Sequence, residues 1–224
     1  YVALGVPLQY LLAASFMAAP GGLLMAKLLE PEVDQPAKPA RGEKLASEEY
    51  VNFVDAAATG AINGLQMAAA IGATLLAFIA LIAMVNGILG AGGAWLGIEQ
   101  LTLEGVLGRL LQPLAWTLGI PWEEARLAGS LIGQKFILNE FVAYVTLSEV
   151  VADLSPHSQA IVVFALCGFA NLSSIAILIG GLGAVAPQRR DDISRFGFRA
   201  LIAASLANLM SAALAGLFLS FAGG

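Results

Sequence analysis

Chemically reactive side chains are scarce in this sequence. One cysteine, Cys167, and one histidine, His157, stand among 224 residues. A single cysteine excludes a disulfide framework, and one Cys with one His excludes a Cys/His zinc cluster. Charge is equally thin: Asp, Glu, Lys and Arg make up 12% of the chain, about half the share of an ordinary soluble domain. The net charge of -5 leaves no basic footprint for nucleic acid. No Gly-Lys-Ser/Thr loop is present to cradle a phosphate. The lone histidine falls in a short outer loop, so neither a Ser-His-Asp nor a Cys-His arrangement is available inside a membrane, and the inventory argues against an enzyme. Tyr1 is not an initiator Met and no charged n-region precedes the first apolar run, so the chain reads as the interior of a longer protein rather than one headed by a signal peptide.

What is present is apolar. Hydrophobic residues account for 58% of the sequence, and the mean hydropathy is +0.82. Such a surface calls for lipid as solvent. A spanning helix needs about 20 largely apolar residues. Uncharged windows of that length at 1–26, 56–98, 154–188 and 200–224 predict spans at Leu8–Leu29, Gln66–Leu89, Ala160–Leu182 and Leu201–Phe221. Pro20-Gly21-Gly22 is expected to kink the first span. The polar-richer start of the second window, YVNFVDAAATGAINGL, reads as an interfacial helix leading into the bilayer. Glu30–Glu49, with Pro31, Pro36 and Pro39 among many charges, reads as a solvated loop. Residues 187–199, PQRRDDISRFGFR, read as a charged connector.

Basic residues orient these spans. Lys27, Lys38, Arg41 and Lys44 lie beside or within the first loop, and Arg189, Arg190, Arg195 and Arg199 crowd the second. The positive-inside rule places both on the cytoplasmic side. Everything between Ala91 and Gln159 must then begin and end outside. That interval nevertheless holds RLAGSLIGQKFILNEFVAYVTLSE (126–149), too apolar for an aqueous loop. A single crossing breaks the parity, whereas a re-entrant hairpin preserves it. Its non-helical tip, near Asn139 and Glu140, belongs beside protein or a wet cavity. Before it, residues 101–122 alternate charged and apolar faces and carry Trp116 and Trp122, as a helix along the outer interface does. The fold expected is therefore all-α: a polytopic membrane protein with about four transmembrane helices, one of them discontinuous, plus a re-entrant helical hairpin and interfacial helices.

Two places could carry chemistry. Glu140 is a carboxylate inside a membrane segment, which costs roughly 2.5–3.5 kcal/mol and so marks a site by default. Lys135 is five residues away, an offset that turns the two side chains to different helix faces, and it reads as a snorkelling or structural cation. In the third span, CGFANLSSIAI (167–177) sets Gly168, Asn171, Ser173 and Ser174 in an apolar helix. Glycine weakens the helical ladder and Asn and Ser compete for backbone groups, so the helix is expected to unwind there and free peptide groups for a ligand. The bland alternative is helix–helix packing by small residues. Asn208, Asn63 and Gln66 are as readily packing groups as ligands, Phe169 either stacks on a ring or fills the core, and Cys167 reads as a small hydrophobe.

Three stretches, GQKFILNEFVAY (133–144), ALCGFANLSSIAILIGGLGAVAPQRRDDI (165–193) and ASFMAAPGGLLMAKLLEPE (14–32), resemble the concentrative nucleoside transporter family. The likeness covers nearly the whole chain in consistent order. It implies that 1–224 is the C-terminal transport and scaffold portion of a homotrimeric, multi-pass carrier of the plasma membrane, with 30–49 a cytoplasmic loop and 123–149 the second re-entrant hairpin. It implies cation-coupled symport of nucleosides by an elevator-like movement. Glu140 would bond ribose hydroxyls, Asn171 and Ser174 would complete the ribose contacts with Asn139 nearby, and Phe169 would lie beside the substrate. No resident cofactor or metal is implied. The family's first hairpin, with its Gln-Thr-Glu motif for the base, and most of the site for the coupling cation, sodium or proton, would lie upstream of Tyr1. Left open are a carrier of another small polar solute, such as a sugar or nucleobase, and a structural subunit whose polar groups only bind partner helices.

Overall fold

A computed structural model describes residues 1–32, 51–98, 101–172, 174, 175, 177, 178 and 187–222, without side chains for some of 63–79 or for 187 and 190. Asn63, Gln66, Ser173 and most of the expected loop at 30–49 fall outside the described residues or side chains. The described residues contain helix and no strand. In order they are α1 (Leu8–Leu29), α2 (Phe53–Trp95), α3 (Leu103–Thr117), α4 (Trp122–Ile137), α5 (Glu140–Val150), α6 (Pro156–Leu166) and α7 (Arg190–Ala222). Between α6 and α7, helix resumes at 172 and includes 174, 175, 177 and 178.

Element boundaries follow local chemistry. Asn52, Thr102, Asn139 and Ser155 each cap the helix that follows by accepting a backbone N–H three residues on. Pro156 starts α6 where its missing N–H is harmless. The 22 residues of α1 reach about 33 Å, the thickness of a hydrocarbon core. Phe16, Leu23 and Leu28 on α1, with Phe218 and Phe221 on α7, are left exposed, as lipid-facing side chains are.

Helices meet through small residues, because lipid is as apolar as the core and close approach must drive association. On α1, Gly21 faces Ala207 and Met210 of α7, with room for a Cβ only 3.2 Å from the Met210 Cε. Between α3 and α4 the approach is backbone to backbone: a Cβ on Gly108 would lie 2.8 Å from the Arg126 carbonyl oxygen, and one on Gly129 equally close to Leu111. The core is centred on α6, where every residue from Ala160 to Leu166 is buried, and on Leu131, Ile132 and Tyr144 of the α4–α5 pair. The C-terminal end of α2 joins α3 through Asn86, which accepts the Leu103 N–H at 2.7 Å and donates to Glu104 at 3.0 Å.

Two expectations are corrected. Residues 187–199 are not a connector: a short 3-10 turn, Pro187–Arg189, leads straight into α7. Asp191 and Asp192 lie in the first turn of that helix, where carboxylates stabilise its positive end. The polar-rich segment before the second span is likewise no separate helix but the opening of the 43-residue α2. The first expected span is α1, and 179–182, the end of the expected span at 160–182, fall outside the described residues. The chain from 122 to 150 folds as helix, two-residue turn and helix, and the third span is broken after Leu166. The helix α1 runs unbroken through Pro20.

Candidate substrate site

The turn between α4 and α5 is Leu138 and Asn139. Asn139 Oδ1 accepts the Val142 N–H at 2.9 Å and so starts α5 with Glu140 as its first residue. That places the Glu140 carboxylate at the positive end of a helix, one of the few environments that offset the desolvation of a buried anion. Glu140 is 9% exposed. Its Oε1 accepts the Tyr1 hydroxyl at 3.2 Å, and its Oε2 accepts the Asn171 Nδ2 at 3.4 Å.

Asn171 comes from the break in the third span. After Leu166 the chain leaves helical geometry at Cys167, with φ −72 and ψ 84. It resumes through a reciprocal cap: Asn171 Oδ1 accepts the Ser174 N–H at 3.0 Å, and Ser174 Oγ accepts the Asn171 N–H at 3.4 Å. The Ser174 hydroxyl in turn donates to the Asn171 carbonyl at 2.6 Å. Asn171 is wholly buried and Ser174 nearly so. Glycine at 168 leaves room for the Asn208 amide, since an added Cβ would sit 2.2 Å from Asn208 Nδ2.

The broken span thus presents two helix ends of opposite polarity, and the hairpin meets each with the opposite charge. Toward the positive end at Asn171 it offers the Glu140 carboxylate. Toward the negative end, the C-terminus of α6, it offers Lys135, whose Nζ donates to the Ala165 carbonyl at 2.8 Å. Tyr144, from the other arm, donates to the Val163 carbonyl at 2.9 Å. Lys135 and Tyr144 are both fully buried. Snorkelling is therefore excluded for Lys135.

Of the five residues expected to touch substrate, three are linked directly: Glu140 bonds Asn171, and Asn171 bonds Ser174. Asn139 stands beside Glu140 with its oxygen committed to the α5 cap. Phe169 is half-exposed and lines, with Ser174 and Asn208, a cavity of about 330 Å³ toward α1 and α7. Tyr1 and Tyr144 escaped the sequence reading. Their ring centroids lie 4.4 Å apart, tilted, and the Tyr1 hydroxyl reaches Glu140. The signal for Tyr144 was available, because position 144 follows 140 by one helical turn. None existed for Tyr1, which lies 139 positions away. What the cluster can do chemically is accept donors: a carboxylate offers about four lone-pair positions, and among the described residues two are engaged.

Residues 10–216 match the family described as Na+ dependent nucleoside transporter, C-terminus. An uncharacterized transporter of Bacillus subtilis is 52% identical over 220 residues, covering 98% of this chain and 54% of its own length. A nucleoside permease of Helicobacter pylori, NupC, is 49% identical over 224 residues, covering 98% and 53%. Human sodium/nucleoside cotransporter 1 is 37% identical over 233 residues, covering 97% and 36%. Among solved structures, CNTnw in an inward-facing substrate-bound state is similar with a TM-score of 0.91 at 55% identity, over 100% of this chain and 53% of that one. A variant of CNTnw in an outward-facing state is similar with a TM-score of 0.92, again at 55% identity, over 100% and 54%. The chain spans about half the length of the bacterial relatives it matches.

Proposed function

The chain belongs to the Na+ dependent nucleoside transporter family, as its C-terminal part, and on that premise we propose that it forms the ribose-holding portion of a carrier that brings nucleosides across the plasma membrane together with a cation. The single observation that carries this reading is the Glu140 carboxylate, buried yet anchored at the tip of a helical hairpin against the polar break of a neighbouring helix. A ribose cis-diol presents two O–H donors to one carboxylate, and bonds to an ionised acceptor are about twice as strong as neutral ones. Asn171 and Ser174 flank that carboxylate with further polar groups. We assign them the remaining ribose contacts, and Asn139 and Phe169 the margins of the site. The hairpin, 122–150, is read as re-entrant from the outer face, because its turn at Leu138 and Asn139 lies against protein, where non-helical backbone is tolerated at membrane depth.

Sodium is the cation favoured, since the human relative is described as a sodium/nucleoside cotransporter. Among the described residues no group of three or more Asp, Glu, Cys or His gathers for a metal. A homotrimer in the membrane and elevator-like movement belong to the same proposal.

Glu140→Gln in the complete transporter tests it. The substitution keeps shape and removes charge. Loss of one charge-assisted bond at about 1.5–3 kcal/mol predicts a roughly tenfold to hundredfold fall in uridine kcat/KM, with the protein still reaching the membrane. Unchanged uridine uptake removes Glu140 from the site.

A further inference from the structure

Lys135 is a buried ammonium that the ribose contacts do not use. It sits in the last turn of α4, wholly shielded from solvent, and reaches across to a helix thirty positions away. The last four carbonyls of any helix lack intrahelical donors and must be met otherwise. In α6 the accounting is complete. The Val163 carbonyl takes the Cys167 N–H at 3.0 Å as well as the Tyr144 hydroxyl, Phe164 takes the Cys167 N–H at 3.2 Å, and Leu166 takes the Gly168 N–H at 2.8 Å. The Ala165 carbonyl takes Lys135. Of the four, Ala165 alone depends on a side chain for its donor among the described residues.

That carbonyl stands at the point where the backbone turns out of the helix. Six residues later comes Asn171, and from Asn171 hang both its bond to Glu140 and its reciprocal cap with Ser174. The same hairpin that carries Lys135 carries Glu140, and the two charges lie within electrostatic reach of one another. One rigid piece therefore grips the broken helix on both sides of the gap, by ammonium at the negative end and by carboxylate at the positive end. We propose that Lys135 is a positioning residue for the ribose site: by holding the Ala165 carbonyl it fixes the geometry of the break, so that Asn171 and Ser174 face Glu140. It touches no substrate. This inference rests on the reading of Glu140, Asn171 and Ser174 as ribose ligands.

The test is ligand-resolved binding to the complete, purified transporter. Uridine is compared with 2′,3′-dideoxyuridine, which keeps the base and lacks both ribose hydroxyls. Lys135→Met keeps an unbranched chain and removes the donor. It is expected to weaken uridine binding about tenfold, within the usual range for coupled neighbours, and to leave the weaker dideoxyuridine affinity within twofold. Lys135→Gln retains an N–H donor without charge and should lose less than Lys135→Met, again on uridine alone. A merely structural lysine gives equal losses for both ligands, and that result overturns the proposal, as does an unchanged uridine affinity. Failure of both variants to fold overturns it too, in favour of a purely structural lysine. Glu140→Gln is measured in parallel. If it spares uridine binding, the ribose site itself is wrong; if it loses uridine binding while Lys135→Met does not, only the role of Lys135 falls.

Discussion

Gly168 has a neighbour that leaves no room for any side chain. The Asn208 amide lies where a Cβ would be, with all three nearest contacts under 3 Å. Gly168→Ala must displace the Asn208 side chain, or else α7 or the unwound segment, and overpacking of this kind costs about 1–3 kcal/mol. Uridine uptake, normalised to transporter in the membrane, is expected to fall in Gly168→Ala and to recover in part in Gly168→Ala with Asn208→Ala, where the obstruction is trimmed. A double variant no better than the single one contradicts this packing. The sequence left Asn208 balanced between packing and ligand; the structure sets it against glycine. Glu140 was legible beforehand because a lone carboxylate in an apolar stretch advertises itself through its desolvation cost. The partner of Lys135 was not, because it is a main-chain carbonyl on another element, and main-chain groups carry no signature in a sequence.

Between elements, the start of the hairpin is clasped to the start of α6. Glu124, in the first turn of α4, accepts both the Ser155 N–H at 3.1 Å and the Ser155 hydroxyl at 3.0 Å, while Ser155 itself caps α6. Burial would raise the Glu124 carboxyl, but hydrogen bonding by Ser158 and Ser155 and the nearby His157 hold it below the usual carboxylate range. A depressed folded value stabilises the protein above the ordinary range and loses that contribution as acid protonates the group through the lowered value. The thermal midpoint of the complete transporter is therefore expected to drop on acidification through that window. Glu124→Gln should start lower at neutral pH and respond less to acid; identical midpoints and slopes in the two proteins would dismiss the clasp. Elements were mostly readable in advance. The bounds of α1 followed from apolar length, and the hairpin followed from parity, since an even number of passages was required. The opening of α7 was misjudged because its charges suggested a loop, although Asp191 and Asp192 followed by apolar residues are also a helix-start signal.

For the molecule as a whole, the described contacts fix which ends lie together. Arg199 on α7 bonds Glu30 at the end of α1, so the two basic segments share one face. Further along α7, about 26 Å on by helical rise, the Gly216 carbonyl meets His157 beside the hairpin's start. With the basic face inside, an impermeant maleimide applied to intact cells should label Glu123→Cys but not Asp192→Cys in a Cys167→Ser background, and inverted vesicles should give the reverse. Labelling of both from outside breaks the assigned topology. Motif resemblance made the family readable from the chain. Close backbone seams such as Gly108 and Gly129 were not, because a glycine's neighbours are decided by partners distant in sequence. One last consequence belongs to α2. At 43 residues it extends about 65 Å, more than twice a hydrocarbon core, and it is gripped near one tip by Asn86. A stiff beam held there magnifies small rotations: a swing of about 5° at Asn86 carries the far tip at Phe53 through about 4 Å.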